Sequence, residues 1–237
     1  MTMIATKLIT VRQAIAAACA QSGRPVSDVQ LLAVSKTQGS EALRAAFAAG
    51  QTAFGENYVQ EALDKMAVLA DLPLQWHCIG PLQSNKTKPV AEHFDWVHTV
   101  DRLKIAQRLS EQRPPGLPAL QVCLQVNVDG GASKSGVTPD QALTLALAVV
   151  SLPRLCLRGI MSIPEPSDGF EAQKAVHLRT KALFDDIANA LAHQQPASFK
   201  QFNTLSMGMS ADMASAIAAG STLVRVGSAI FGTRAAK

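Results

Sequence analysis

Short runs of β-branched and other apolar residues recur along this 237-residue chain, each separated from the next by a stretch of helical period. That alternation constrains the fold more than any other feature, because parallel strands joined through helices must share one sheet. Eight runs read as strands: "VQLLAVSK" (29-36), "TAFGEN" (52-57), "LQWHCIG" (74-80), "WVHTV" (96-100), "LQVCLQVNV" (120-128), "LCLRGIMS" (155-162), "TLSMG" (204-208) and "TLVRVGS" (222-228). Between them lie helical patterns such as "SEALRAAFAAG" (40-50), "DRLKIAQRLSEQ" (101-112), "PDQALTLALAVVS" (139-151) and "EAQKAVHLRTKALFDDIANALAHQQ" (171-195). Ser40, Asp101 and Asp212 stand where N-caps are expected, and Gly50 where a helix should close. Eight βα units in this length predict a single α/β domain over 1-237, a (β/α)8 TIM barrel whose site lies where the strands end. A doubly wound open sheet is the competing architecture. No G-x-G-x-x-G follows the first strand, and the proline-rich "RPPGLP" (113-118) leads straight into the next strand, so closure and one domain are the better reading.

The alanine-rich "TVRQAIAAACAQSG" superficially suits a signal peptide, but Arg12 and Gln13 interrupt its apolar region. It predicts an extra, amphipathic surface helix ending near Gly23. No uncharged run reaches the ~20 apolar residues of a membrane span. At 48% hydrophobic content the chain can bury a sizeable core. Its net charge of +4 and few aromatics give no dense basic face for nucleic acid, though a small anionic ligand suits that balance. Cys19, Cys78, Cys123 and Cys156 lie far apart, with no C-x-x-C pair. Three sit in or beside apolar runs and read as reduced core thiols, an expectation of a cytoplasmic protein with no metal site.

The strand ends define a polar, glycine-rich rim: Lys36, Glu56-Asn57, Gly80, His98-Thr99, Asn127, Ser162, Ser206-Met207-Gly208 and Gly227-Ser228. Barrels often bind phosphate after strands seven and eight, where here "LSMGMSAD" and "VRVGSAIFG" offer Gly208, Ser210, Gly227 and Ser228. Lys36 closes the first strand. An apolar barrel mouth disfavours its ammonium form and leaves a free amine to condense with an aldehyde. A ligand carrying both aldehyde and phosphate fits that pairing: pyridoxal 5′-phosphate (PLP) is one, and a phosphosugar handled by a Schiff-base aldolase is another.

Seven blocks, "LLAVSKT", "FGENYVQE", "WHCIGPLQSNK", "VNVDGGASKSGV", "LRGIMSIP", "LSMGMSADM" and "GSTLVRVGSAIFGTR", resemble in order and spacing the YggS/PROSC family of PLP homeostasis proteins. That family shares its fold with the barrel domain of alanine racemase. The resemblance runs from about residue 29 to residue 234. It implies PLP as cofactor, with Lys36 as the Schiff-base lysine and Ser210, Gly227 and Ser228 at the phosphate. Ser228 stands where the family usually has threonine. Asn57 matches the asparagine beside the cofactor, and Arg225 the arginine facing the pyridine nitrogen. Read without the family, Arg225 is a strand-end charge pairing with a carboxylate. An arginine cannot take the pyridinium proton, which makes the ring a weak electron sink. The block "VNVDGGASKSGV" departs from the more acidic family pattern at Gly130-Gly131 and keeps Lys134.

Other motifs have plainer readings. His77, beside Trp76, reads as a packed core histidine; His98, near the rim, stays open between core and chemistry. "SNKTK" (84-88) reads as a solvated loop, with an anion site as the sharper alternative, and Met207, Met209 and Met213 as packing. The alternative function is a PLP-dependent amino-acid racemase. Its relatives place a tyrosine from an additional domain opposite the lysine, whereas this chain stops at Lys237 and holds one tyrosine, Tyr58. The resemblance therefore implies a non-catalytic PLP binder that buffers or delivers the cofactor, a monomer, with apo PLP-dependent enzymes as recipients.

Overall fold

In the computed structural model, which describes residues 2–131 and 135–232, eight parallel strands close into a barrel in the order β1-β2-β3-β4-β5-β6-β7-β8, with β8 pairing back to β1. The chain runs α1 (Met3–Gln21), β1 (Gln30–Val34), α2 (Ser40–Ala48), β2 (Ala53–Glu56), α3 (Val59–Val68), β3 (Gln75–Cys78), α4 (Thr87–His93) and β4 (Trp96–Val100). It continues with α5 (Leu103–Gln112), β5 (Leu120–Val126), α6 (Pro139–Val150), β6 (Leu155–Ser162), α7 (Phe170–Gln194), α8 (Pro196–Phe199), β7 (Thr204–Ser206), α9 (Met213–Ala218), β8 (Leu223–Val226) and α10 (Ser228–Phe231). The (β/α)8 expectation holds, and all eight strands fall within their expected segments.

Strand alternation builds two separate interiors. In β5, Val122, Leu124 and Val126 join the large apolar core between barrel and helices, while Cys123 packs with Trp96, Met161 and Ile163 in a small inner cluster. Leu32, Ala53, Leu223 and Ile79 form a second inner cluster. Within β8, Val224 and Val226 belong to the outer core. Arg225 between them turns the other way and is therefore carried into the barrel.

Helix α1 starts earlier than its alanine-rich stretch suggested, because Thr2 Oγ1 accepts the Ala5 N–H at 3.2 Å and caps it. By length and composition it could cross a membrane. Here its Leu8, Val11, Ile15, Ala18 and Cys19 recur at helical spacing and are buried, and the helix packs on α2, α9 and α10. The expected caps are placed differently. Ser40 is the first residue of α2, whose cap is Gly39, and Arg102 rather than Asp101 precedes α5. Asp212 does precede α9, but its carboxylate serves other partners. "SNKTK" is not a loop: Ser84–Lys86 is a 3-10 turn that leads into α4, where Pro89 is tolerated because first-turn N–H groups need no partner within the helix.

Candidate active site

The strand C-termini open into a cavity of ≈ 590 Å³ lined by Val34, Lys36, Thr37, Gln38, Asn57, Ile79, Ile163, Met209, Ser210, Ala211, Arg225, Gly227, Ser228, Phe231 and Gly232. All six residues singled out in the sequence, Lys36, Asn57, Ser210, Arg225, Gly227 and Ser228, meet there. Met209 was expected to pack; it is exposed and lines the cavity, whereas Met207 is buried and Met213 packs against the core. Lys134 lies outside the described residues.

Lys36 lies beyond the end of β1 rather than within it, in a turn whose next residue, Thr37, has φ 65. A β-branched residue in the left-handed region is strained and has to be held there. Thr37 N–H donates to Glu61 Oε1 at 2.6 Å. On the other side of Lys36, the Ser35 carbonyl accepts from Lys65 Nζ at 2.8 Å, and Ser35 Oγ donates to Glu56 Oε1 at 2.6 Å. Lys65 also bridges Glu56 at 2.7 Å and Glu61 at 2.6 Å. Burial raises Glu56, and hydrogen bonds from Lys65 and Ser35 only partly offset it. Glu56, expected at the rim, is fully buried and does not line the cavity.

Asn57 is fixed by close backbone approach. A Cβ on Gly80 would lie 2.2 Å from the Asn57 carbonyl oxygen, so only glycine lets the β3 end sit against this loop. The Gly80 carbonyl in turn accepts from Thr99 Oγ1 at 2.8 Å. Asn57 Oδ1 is buried and has no hydrogen-bond partner.

Arg225 forms the polar floor. Its Nη1 donates to the carbonyl and Oγ of Ser206, both at 2.8 Å, and its Nη2 to the Ser162 carbonyl at 2.8 Å. The carboxylate partner expected from sequence is replaced by these oxygens. Burial pushes Arg225 down to about 10, with Asp212 and Cys123 acting the other way, so it remains a cation at neutral pH. Beneath it a buried ladder crosses the barrel: Ser206 Oγ to His98 Nδ1 at 3.1 Å, His98 Nε2 to His77 Nδ1 at 2.9 Å, His77 Nε2 to Gln75 Oε1 at 3.0 Å. Gln75 Oε1 can only accept, which fixes the direction: His77 donates to Gln75, His98 to His77, and Ser206 to His98. Both histidines are fully buried and absent from the cavity lining; the open question about His98 resolves as core.

At the rim, Gly208 has φ 92, and a Cβ there would come 2.5 Å from Ala216 Cβ, so glycine is required for the turn that carries Met209 and Ser210. Asp212 anchors this turn through Met209 N–H at 2.6 Å and His177 Nε2 at 3.0 Å. Burial works to raise Asp212, yet these bonds and the charges of His177 and Arg225 hold it below the usual carboxylate range. Ser210 and Ser228 are exposed, and the first N–H groups of α10 have no partner within their helix. The cavity therefore runs from a buried cation to a hydroxyl-bearing rim. Tyr58 is exposed and caps α3 outside the lining.

Residues 11–235 match the alanine racemase N-terminal domain family. A pyridoxal phosphate homeostasis protein of Pseudomonas aeruginosa is 56% identical over 234 residues, covering 99% of this chain and 97% of that one. The chain belongs to the pyridoxal phosphate homeostasis protein family. PipY of Synechococcus elongatus, solved with PLP bound, is 36% identical and superposes with a TM-score of 0.80, over 97% of this chain and 100% of that one. Alanine racemase of Corynebacterium glutamicum, at 16% identity and a TM-score of 0.66 over 98% of this chain and 61% of that one, shares the barrel fold. Within the family frame, sequence reasoning missed Thr37, Gln38, Ile79, Ile163 and Phe231 as lining and the Glu56–Lys65–Glu61 group behind Lys36. The "FGENYVQE" block did carry Glu56 and Glu61, but their five-residue separation does not show that both meet Lys65.

Proposed function

We propose that this chain binds PLP in the strand-end cavity and holds it reversibly for intracellular cofactor homeostasis, without catalysing turnover. The observation that carries the reading is the chemistry of the lining: among the described residues, Lys36 and Arg225 are its only ionisable side chains. Bound PLP supplies an aldehyde with which a neutral lysine amine can condense, a C=N bond replacing C=O and the oxygen leaving as water.

The donor set fits that group. Lys36 gives an amine at the mouth, the orphaned Asn57 Oδ1 awaits an O–H or N–H, and Ser210, Ser228 and Gly227 offer hydroxyls and close backbone approach at the rim. A Cβ on Gly227 would press on the Val34 carbonyl oxygen at 3.1 Å. Arg225, held by Ser206 and Ser162, would present a fixed cation to the ring and could not accept a proton from it. No second proton carrier stands opposite Lys36 among the described lining residues, and that favours binding over racemisation. On this reading the whole chain, 1–237, works as one domain and as a monomer that passes PLP to apo PLP-dependent enzymes. All four cysteines are free, and burial pushes Cys78 and Cys123 up to about 12, in keeping with a reducing cytoplasm.

The test is direct. Purified protein loaded with PLP should show a visible absorption band, and borohydride reduction followed by peptide mass mapping should leave the cofactor on Lys36. Lys36→Ala should lose both signals. Cofactor mapped to another lysine, with Lys36 unmodified, overturns the assignment.

A further inference from the structure

The proposed PLP site rests on one lysine side chain, yet the structure invests a buried ionic group in the backbone on either side of it. Lys65 is 6% exposed and Glu56 fully buried, and neither lines the cavity. Burying Lys65 with Glu56 is costly unless their polar atoms find partners; here those partners are each other, the part-exposed Glu61 and the Ser35–Thr37 turn, with Glu56 Oε2 alone left unpaired. Lys65 holds the Ser35 carbonyl, Glu56 holds the Ser35 hydroxyl, and Glu61 holds the Thr37 N–H. Lys36 sits between the two grips.

We infer that Glu61 and Lys65, with Glu56, are positioning residues: they lock Thr37 in its left-handed conformation, and that lock aims Lys36 at the carbonyl carbon it must attack. The inference rests on the PLP reading above and extends it to residues that never touch the ligand. A β-branched residue relaxes to negative φ when nothing holds it. If Thr37 leaves the left-handed region, the Ser35–Thr37 turn loses its shape and the Lys36 Cα shifts with it, while the rim serines and Arg225, on other elements, stay where they are. The lock therefore acts chiefly on covalent capture of an aldehyde: Thr37 and Gln38 line one side of the cavity, but the rim serines and Arg225 lie on other elements.

Pyridoxine 5′-phosphate separates the two, since it keeps ring and phosphate but carries an alcohol that cannot condense with an amine. The full chain is compared with Glu61→Ala, Glu61→Gln, and Glu61→Ala combined with Thr37→Gly, measuring the rate of PLP capture by stopped-flow absorbance and the affinity for pyridoxine 5′-phosphate by calorimetry. Glu61→Ala should slow capture at least about tenfold, as misplacement of a reacting group does, with a much smaller change in pyridoxine 5′-phosphate affinity. Glu61→Gln keeps an acceptor for the Thr37 N–H and should retain most of the rate. Thr37→Gly, which takes positive φ without strain, should restore part of it in the Glu61→Ala background. A wild-type rate in Glu61→Ala overturns the lock, as does a parallel fall for both ligands that Thr37→Gly does not relieve. Absence of capture by wild-type protein is a different failure, and overturns the PLP reading itself.

Discussion

Acidification should destabilise this barrel from its centre. His77 and His98 are fully buried, linked nitrogen to nitrogen at 2.9 Å, and committed to a one-way ladder that ends on the Arg225 cation. A proton added to His77 Nδ1 would set two N–H groups face to face, one added to His98 Nδ1 would meet the Ser206 hydroxyl that now donates to it, and either would place a charge where no water reaches. Burial pushes His77 down from 6.5 to about 3, and His98 falls in the same direction through burial, the neighbouring His77 and the Arg225 charge. The folded pKa lies below the unfolded one, so in the window between about 3 and 6.5 the unfolded chain binds the extra proton. Stability is present above that window and is lost as pH falls through it, at about 1.4 kcal/mol per pH unit for His77, with His98 adding in the same direction. By pH ~4.5 His77 alone removes roughly 3 kcal/mol, a large share of the ~5–15 kcal/mol of an ordinary domain. Glu56, raised by burial, takes up its proton more readily folded than unfolded and opposes the trend, so a variant must isolate the histidine contribution. Urea unfolding of wild type and His77→Asn at several pH values between 7.5 and 4.5 provides it, because the Asn carbonyl can still accept from His98 while the side chain no longer titrates. The variant should be less stable at neutral pH and flatter in acid. A wild-type stability independent of pH across this window, or an identical slope in the variant, would refute the reasoning.

Ser210→Ala and Ser228→Ala should each weaken PLP binding by ~1.5–3 kcal/mol, the range for a hydrogen bond to a charged group, and phosphate-free pyridoxal much less. Equal losses for both ligands would remove the phosphate from that rim. With PLP-loaded protein and L-alanine in D2O, α-deuterium incorporation and D-alanine should stay at background; turnover of ~1–10³ s⁻¹ that vanishes in Tyr58→Phe would reject the non-catalytic reading.

The barrel was legible because a strand buried on both faces has to be a short apolar run, and eight such runs interrupt helical periods in order. Strand ends were less so. "VQLLAVSK" reads through to Lys36, but β1 stops at Val34 because the Ser35 carbonyl and hydroxyl are taken by Lys65 and Glu56, partners 30 and 21 residues away. Alternation likewise says that His77, His98 and Arg225 each face inward, without saying that closure sets them in one ladder. Ser206 reaches His98 across 108 residues of sequence. Lys36, Ser210, Gly227 and Ser228 were visible since rim positions follow from strand ends alone; Glu61 and Lys65 act at one remove and leave only an ordinary helical i,i+4 pair in the sequence.

The two charged groups of the cavity differ in a way that bears on holding a cofactor. Arg225 is buried, gripped by three oxygens and still cationic well above neutral pH, so its position and charge are fixed whatever enters. Were the ring nitrogen of PLP to lie toward Arg225, as the proposed site has it, the fixed cation would disfavour a proton there, and an unprotonated ring draws electrons weakly from a bound amine. On the proposed reading, reactivity on the ligand is held down by the floor of the barrel, while attachment and release are left to Lys36 at the mouth. On the proposed reading this separates the strength of binding, set by the rim and floor, from the rate of covalent exchange, set by a turn that Glu61 holds under strain. Changes to the rim should then alter how much cofactor is held, and changes to the clamp how fast it is captured and let go.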